Sequence, residues 1–114
     1  MKDGIYKIDY AGATGTGYAM LVFDGGRIYG SDVARGEYDG HYAPNPNTGM
    51  VDIAVKVKMP ANAPSVIGMT NPFEWMLEVE TSMNPKRDSD NMAVRNNLGQ
   101  PIKARYEFMR SLPV

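Results

Sequence analysis

The chain has 114 residues, about the length of one ordinary domain, and on folding it can bury roughly two-thirds of the surface that its unfolded form exposes. Twelve basic and thirteen acidic residues leave a formal net charge of −1, so no broad positive field attracts nucleic acid or an anionic membrane surface. The absence of cysteine excludes a disulfide framework, a thiolate metal site and a cysteine nucleophile. We therefore expect a single domain over residues 1–114 that is stabilised by packing and does not bind nucleic acid directly.

No targeting or membrane-spanning segment is predicted. Residues 1–6 lack the apolar region of a signal peptide, and nowhere do about eighteen apolar residues follow one another. We expect a cytoplasmic protein without membrane insertion.

Alternation of apolar and polar residues predicts β-strands along most of the chain. Residues 51–58 show it most clearly, because Val, Ile, Val and Val occupy every second position and Asp and Lys lie between them. In residues 73–80, Phe73 is expected on the same buried face as Trp75 and Leu77. In chain order, the predicted strands are Tyr6–Tyr10, Tyr18–Phe23, Arg27–Gly30, Glu37–Ala43, Val51–Lys58, Phe73–Glu80, Met92–Asn96 and Ile102–Phe108.

The segments between these strands are typical of turns. Asp24-Gly25-Gly26 predicts a hairpin, since glycine accepts positive φ. The glycine-rich stretch 12–17 superficially resembles a phosphate-binding loop, but a strand and not a helix follows it, so we interpret it as a mobile hairpin connection. Residues 30–35 are compatible with a single helical turn, and Asp32 is expected to cap the turn that follows it.

About seven or eight short strands joined by hairpin turns predict an all-β fold, a small antiparallel up-and-down barrel, with a sandwich as the second possibility. Closing the sheet removes exposed strand edges, which would otherwise favour aggregation. A barrel of about eight strands is at the size where side chains either fill the interior or leave room for one small ligand.

One constellation of polar residues is a candidate site. Glu37, Asp39 and His41 alternate along a predicted strand, so their side chains share one face, as the ligands of an open metal site do. The alternative is a polar outer face opposite Tyr38 and Tyr42. With one histidine in the chain we favour this alternative and predict no metal and no cofactor. All five residues remain candidates for contacts with a ligand or a protein partner.

The content of large flexible and aromatic side chains is high for this length. Seven tyrosines, nine methionines and the single tryptophan, Trp75, either line an adaptable apolar cavity or fill a core. Trp75 is therefore a further candidate for ligand or partner binding. None of the serines lies in a nucleophile-elbow context, and we predict that the protein is not an enzyme.

Short motifs also suggest a family. They occur in order over nearly the whole chain, at residues 2–6 (KDGIY), 25–32 (GGRIYGSD), 38–42 (YDGHY), 64–68 (PSVIG) and 112–113 (LP). Together they resemble the type III secretion negative-regulator family, GrlR-like. The resemblance implies a calycin-like, lipocalin-like barrel that dimerises and, in the family's namesake, a repressor that sequesters a transcriptional activator. The namesake binds its activator through an acidic loop, whereas residues 43–50 here contain no carboxylate, so no partner-binding residue can be transferred.

Two hypotheses of different classes follow. The first is a homodimeric regulatory module that represses by binding a protein partner, as the resemblance implies. The second is a carrier or sensor of a small apolar ligand, as the barrel size and the aromatic and methionine content indicate.

Overall fold

Eight antiparallel strands form a closed barrel in which each strand pairs with the next along the chain and β8 pairs with β1. The computed structural model describes residues 2–113. None of these residues belongs to a helix long and apolar enough to cross a membrane. The predicted all-β up-and-down barrel is confirmed. Its strands are β1 (Gly4–Gly12), β2 (Gly15–Asp24), β3 (Arg27–Asp32), β4 (Glu37–Pro44), β5 (Val51–Met59), β6 (Trp75–Met83), β7 (Ser89–Asn96) and β8 (Ile102–Arg110).

The alternation seen in the sequence separates the inside of the barrel from the outside. In β5, every second residue from Val51 to Met59 is buried and the four residues between them are exposed. The register then brings inward residues of neighbouring strands side by side, as in the row formed by Tyr38 of β4, Val57 of β5 and Leu77 of β6. A slip of one residue would turn each strand inside out, so burial of one face determines the register.

One end of the barrel is closed by packed aromatic rings, here called the aromatic floor and formed by Tyr6, Phe23, Tyr42 and Phe108. The Tyr6 ring centroid lies 4.6 Å from that of Phe23 and 5.3 Å from that of Phe108. The Phe23 and Tyr42 centroids are 5.2 Å apart. Tilted and edge-on ring pairs at these separations are favourable beyond the area they bury. The aromatic floor therefore blocks this end of the barrel with side chains.

The turn predicted at Asp24-Gly25-Gly26 is present between β2 and β3. Gly25 and Gly26 have φ of 58° and 92°, values that residues other than glycine rarely adopt. The chain reverses within two residues, as expected of a tight hairpin.

The single helical turn with which residues 30–35 were compatible does not form. Gly30–Asp32 continue β3 and pair with β2, and the chain then reverses tightly towards β4. Arg35 has a φ of 65°, which is left-handed and incompatible with a right-handed helical turn. Pairing with β2 stabilises the extended form, an interaction that local sequence does not reveal.

The expected burial of Phe73 is also wrong. Strand β6 begins at Trp75, which pairs with Met59, the last residue of β5. Pro60 ends β5 because proline has no backbone N–H to donate, so Phe73 has no strand to pair with. Its side chain is 60% exposed.

Candidate binding cavity

The inside of the barrel contains a cavity of about 560 Å³. Its wall is formed mainly by inward aliphatic side chains from the middle of the strands, among them Leu21, Ile53, Val55, Val57, Leu77 and Met92. No charged or strongly polar residue is buried within residues 2–113. The cavity is therefore suited to an apolar occupant.

The end of the barrel opposite the aromatic floor is the mouth of the cavity. It is bordered by the β1–β2 turn, the β3–β4 turn and the long β5–β6 connection, residues 60–74, here called the cover. The cover is held to the β1–β2 turn by Thr14, whose backbone N–H and side-chain Oγ1 both donate to the carbonyl oxygen of Val66, each at 3.0 Å. Ala63 and Ile67 of the cover are buried. The cover thus closes part of the mouth with apolar side chains.

A polar cluster lies beside the mouth at the end of β3. Oδ1 of Asp32 accepts hydrogen bonds from the backbone N–H groups of Ala34 and Gly36, at 2.9 and 2.8 Å. Oδ2 of the same carboxylate accepts the hydroxyl proton of Tyr38 at 2.9 Å. Asp32 therefore fixes the β3–β4 turn, as the sequence predicts, and also orients a tyrosine of the cavity wall.

The tyrosines inside the barrel are held in their neutral form. Burial raises the pKa of Tyr38 far above its usual value, and the neighbouring Tyr10 and the carboxylate of Asp32 raise it further. Burial likewise raises the pKa of Tyr10, with a contribution from the charge of Asp32. In the aromatic floor, burial raises the pKa of Tyr6 to about 12. These hydroxyls therefore act as neutral hydrogen-bonding groups.

Trp75, the first residue of β6, lines the cavity at the same end as Asp32 and Tyr38. Its indole Nε1 is buried, and no protein acceptor lies within hydrogen-bond distance. Within residues 2–113 no other buried side-chain nitrogen or oxygen lacks a partner. A buried donor without an acceptor is costly and uncommon in native proteins.

The residues predicted as site candidates fall into two groups. Tyr38 and Trp75 line the cavity, and Tyr42 packs in the aromatic floor, where its hydroxyl donates to the carboxylate of Asp3. That hydrogen bond is the main cause that lowers the pKa of Asp3.

Glu37, Asp39 and His41, by contrast, are exposed on the outside of β4, away from the cavity. Asp39 forms an ion pair with Arg27 at 3.1 Å, and Glu37 forms one with Lys58 at 3.4 Å. Nearby Glu74 and then Glu37 raise the pKa of Lys58. No group of three His, Cys, Asp or Glu residues in the described range 2–113 is arranged to hold a metal ion.

The sequence interpretation missed Tyr10 and the cover. Tyr10 lies on the same face of its predicted strand as Tyr6 and Ile8, so the alternation did contain a signal for its inward direction. The cover has no periodic pattern, and its position over the mouth depends on the hydrogen bonds from Thr14. Local sequence contains no signal for that contact.

Replacement of Asp32 tests its structural role. Asp32→Ala leaves the Tyr38 hydroxyl and two backbone N–H groups without their acceptor, and we expect it to lower the free energy of unfolding by about 2 kcal/mol in urea denaturation. The control is Asp39→Ala on the next strand, which removes an exposed ion pair and should cost about 1 kcal/mol or less. Equal losses from the two substitutions would contradict the role of Asp32.

Alkaline pH provides a second test. Because the folded-state pKa of Tyr6, Tyr10 and Tyr38 lies above the unfolded value of 10, their contribution to stability is complete below pH 10. It is lost as the pH rises from 10 through the folded-state pKa, which for Tyr6 is about 12. We expect the urea midpoint to fall over this interval and the folded protein to show late-ionising tyrosines in a phenolate absorbance titration. Tyr38→Phe should remove one of the late-ionising tyrosines; loss of an early-ionising tyrosine in its place would contradict the burial of the Tyr38 hydroxyl.

Fold and site together define a class: a closed eight-stranded antiparallel barrel with an internal apolar cavity and a partly covered mouth. Comparison of the sequence with protein-family models and with curated proteins found no match.

Proposed function

We propose that the protein binds a small apolar ligand inside its barrel and acts as its carrier or sensor. The observation behind this proposal is the cavity of about 560 Å³ with a wall of aliphatic side chains. Sites for small molecules in proteins have volumes of roughly 300–1,000 Å³, predominantly apolar walls and a few polar groups. Asp32, Tyr38 and Trp75 at the mouth are such polar groups.

The energetic argument favours a ligand over an empty space. Native protein interiors are packed as densely as organic crystals, and voids larger than a water molecule are few. An apolar molecule that fills the cavity gains dispersion contacts with the wall, and its apolar surface is removed from water. Binding of a ligand in the cavity would explain why the inward side chains of the barrel leave this volume unfilled.

Native mass spectrometry tests this proposal directly. Protein purified without detergent is expected to show either a bound apolar mass or, after extraction with organic solvent and refolding, uptake of N-phenylnaphthylamine with a rise in dye fluorescence. Decane should displace the dye. Absence of both a copurified mass and dye uptake would contradict the proposal.

The second candidate is the regulatory module that the family resemblance implies, a calycin-like, cytoplasmic homodimer that binds a protein partner. An outer apolar face favours it. On β2 and β3, Tyr18, Met20 and Tyr29 are 46%, 39% and 43% exposed. The register places these side chains together with Val22, which pairs with Tyr29. Exposed aromatic and methionine side chains in one patch are typical of protein interfaces.

We propose a second copy of this chain as the occupant of the face. A two-fold axis through this face would pack the patch of one copy against the same patch of the other, which is the arrangement of most homodimers. Sedimentation equilibrium should show a dimer that Met20→Lys dissociates. Met76→Lys provides the matched control, because Met76 is similarly exposed at 46% but lies on β6 outside the patch. A monomeric wild-type protein, or equal effects of the two substitutions, would contradict this interface.

A further inference from the structure

The unpaired indole of Trp75 indicates what kind of apolar molecule the cavity accepts. We infer that the ligand is uncharged and has a hydrogen-bond acceptor, such as a ketone, ester or ether oxygen, at the end that lies nearest the mouth. This inference depends on the proposed function, because it specifies the ligand of the same cavity.

The first step of the argument is the direction of hydrogen bonding. An indole N–H donates and cannot accept, so only an acceptor satisfies it. Trp75 Nε1 is buried without a protein acceptor, and Trp75 belongs to the cavity wall. An acceptor atom on a molecule within the cavity can therefore supply the missing partner.

The second step is that several other polar groups of the wall already have protein partners. The carboxylate of Asp32 accepts three hydrogen bonds, one of them from Tyr38. Ser65 Oγ donates to the carbonyl oxygen of Met69 at 2.7 Å, and Thr81 Oγ1 donates to that of Ala93 at 2.8 Å. Among the buried side-chain nitrogen and oxygen atoms of residues 2–113, the indole Nε1 of Trp75 is the one without a protein partner, and it is therefore the buried donor that remains for a ligand.

The third step concerns charge. Asp32 and Arg35 are the charged residues that line the cavity in the described range. Arg35 is exposed in the β3–β4 turn, whereas Asp32 is half-buried and bonded to a tyrosine of the wall. The negative charge on the inner side repels an anionic head group, and an anion would also have to lose its hydration in the apolar interior. An uncharged acceptor avoids both costs.

Three probes of equal length test the inference: decane, methyl octyl ketone and decanoate, each competing with N-phenylnaphthylamine. Since decane and the ketone differ in hydration, the ratio of their dissociation constants is compared between wild type and Trp75→Phe, so that the difference in hydration cancels. We expect the ketone to lose about 3- to 10-fold relative to decane in Trp75→Phe, which corresponds to one net hydrogen bond. Leu77→Ala changes the cavity wall but keeps the indole, and it should leave the ratio at its wild-type value.

The charge argument has its own variant. Asp32→Asn keeps a side-chain oxygen for the turn but removes the negative charge, so the affinity for decanoate should rise relative to the affinity for the ketone. An unchanged ketone-to-decane ratio in Trp75→Phe would overturn the inferred hydrogen bond. Decanoate binding to wild type more tightly than the ketone, with loss of that binding in Arg35→Ala, would overturn the uncharged ligand.

These outcomes are distinct from failure of the proposed function. If decane binds but the ratio does not change, the cavity is a ligand site without the inferred hydrogen bond. If neither decane nor the ketone displaces the dye, both the proposed function and this inference are contradicted.

Discussion

Ala104→Trp is expected to abolish binding of decane to the cavity while the barrel still folds. Ala104 lies on β8, is buried, and belongs to the cavity wall. Its neighbours in register are Tyr10 and Met92, which also line the cavity, so a larger side chain at this position extends into the space that a ligand would occupy. The new side chain gains contacts with the wall and competes with any ligand for the same volume.

Isothermal titration calorimetry with decane, together with a thermal melt, measures this outcome. Ala93→Trp is the matched control, because Ala93 lies on the neighbouring strand β7 with its side chain exposed. The control should bind decane as wild type does. Retention of wild-type affinity by a folded Ala104→Trp protein would show that the ligand binds outside the cavity. Val79→Trp, which changes another residue of the cavity wall on β6, repeats the test if Ala104→Trp does not fold.

Gly40→Ala is expected to cause a large loss of stability. Gly40 is buried in β4, where a Cβ atom would collide with the carbonyl oxygen of Ala54 and would lie 2.7 Å from the Cα of Val55. These atoms belong to the backbone of β5 and cannot move away without breaking the strand pairing. We expect the free energy of unfolding to fall by about 3 kcal/mol and the melting temperature by roughly 10 °C or more.

Gly15→Ala is the control for this prediction. Gly15 also lies in a strand, and a Cβ atom there would meet nothing within 4 Å. The substitution should leave the urea midpoint nearly unchanged or raise it slightly, since alanine restricts the unfolded chain. Similar midpoints for Gly40→Ala and wild type would show that β4 and β5 can separate at this point without cost.

The strands could be predicted because each one has a buried and an exposed face. All eight predicted strands overlap observed ones, and β5 shows perfect alternation of burial. The errors lie where pairing with another strand decides the conformation. Residues 30–32 are extended because β2 pairs with them, and Phe73 is exposed because Pro60 ends the strand that would have paired with it.

The candidate site was only partly predictable. The sequence indicated Tyr38 and Trp75 among six candidates, and both lie in the cavity wall. Glu37, Asp39 and His41 share a face, and this face is the outside of the barrel, as the favoured interpretation of a polar outer face predicted. The sequence did not indicate which of the inward residues lie beside a cavity, because that depends on how the neighbouring strands close the barrel.

By itself, the sequence determined that this chain forms short strands with one apolar face and hairpin turns, because these depend on side-chain alternation and on the backbone freedom of glycine. Only the tertiary structure decided that the barrel encloses a cavity. The volume left inside depends on how inward side chains from all eight strands meet and on where the cover lies. The same holds for the unpaired Nε1 of Trp75, because whether a donor has an acceptor depends on residues distant in the chain.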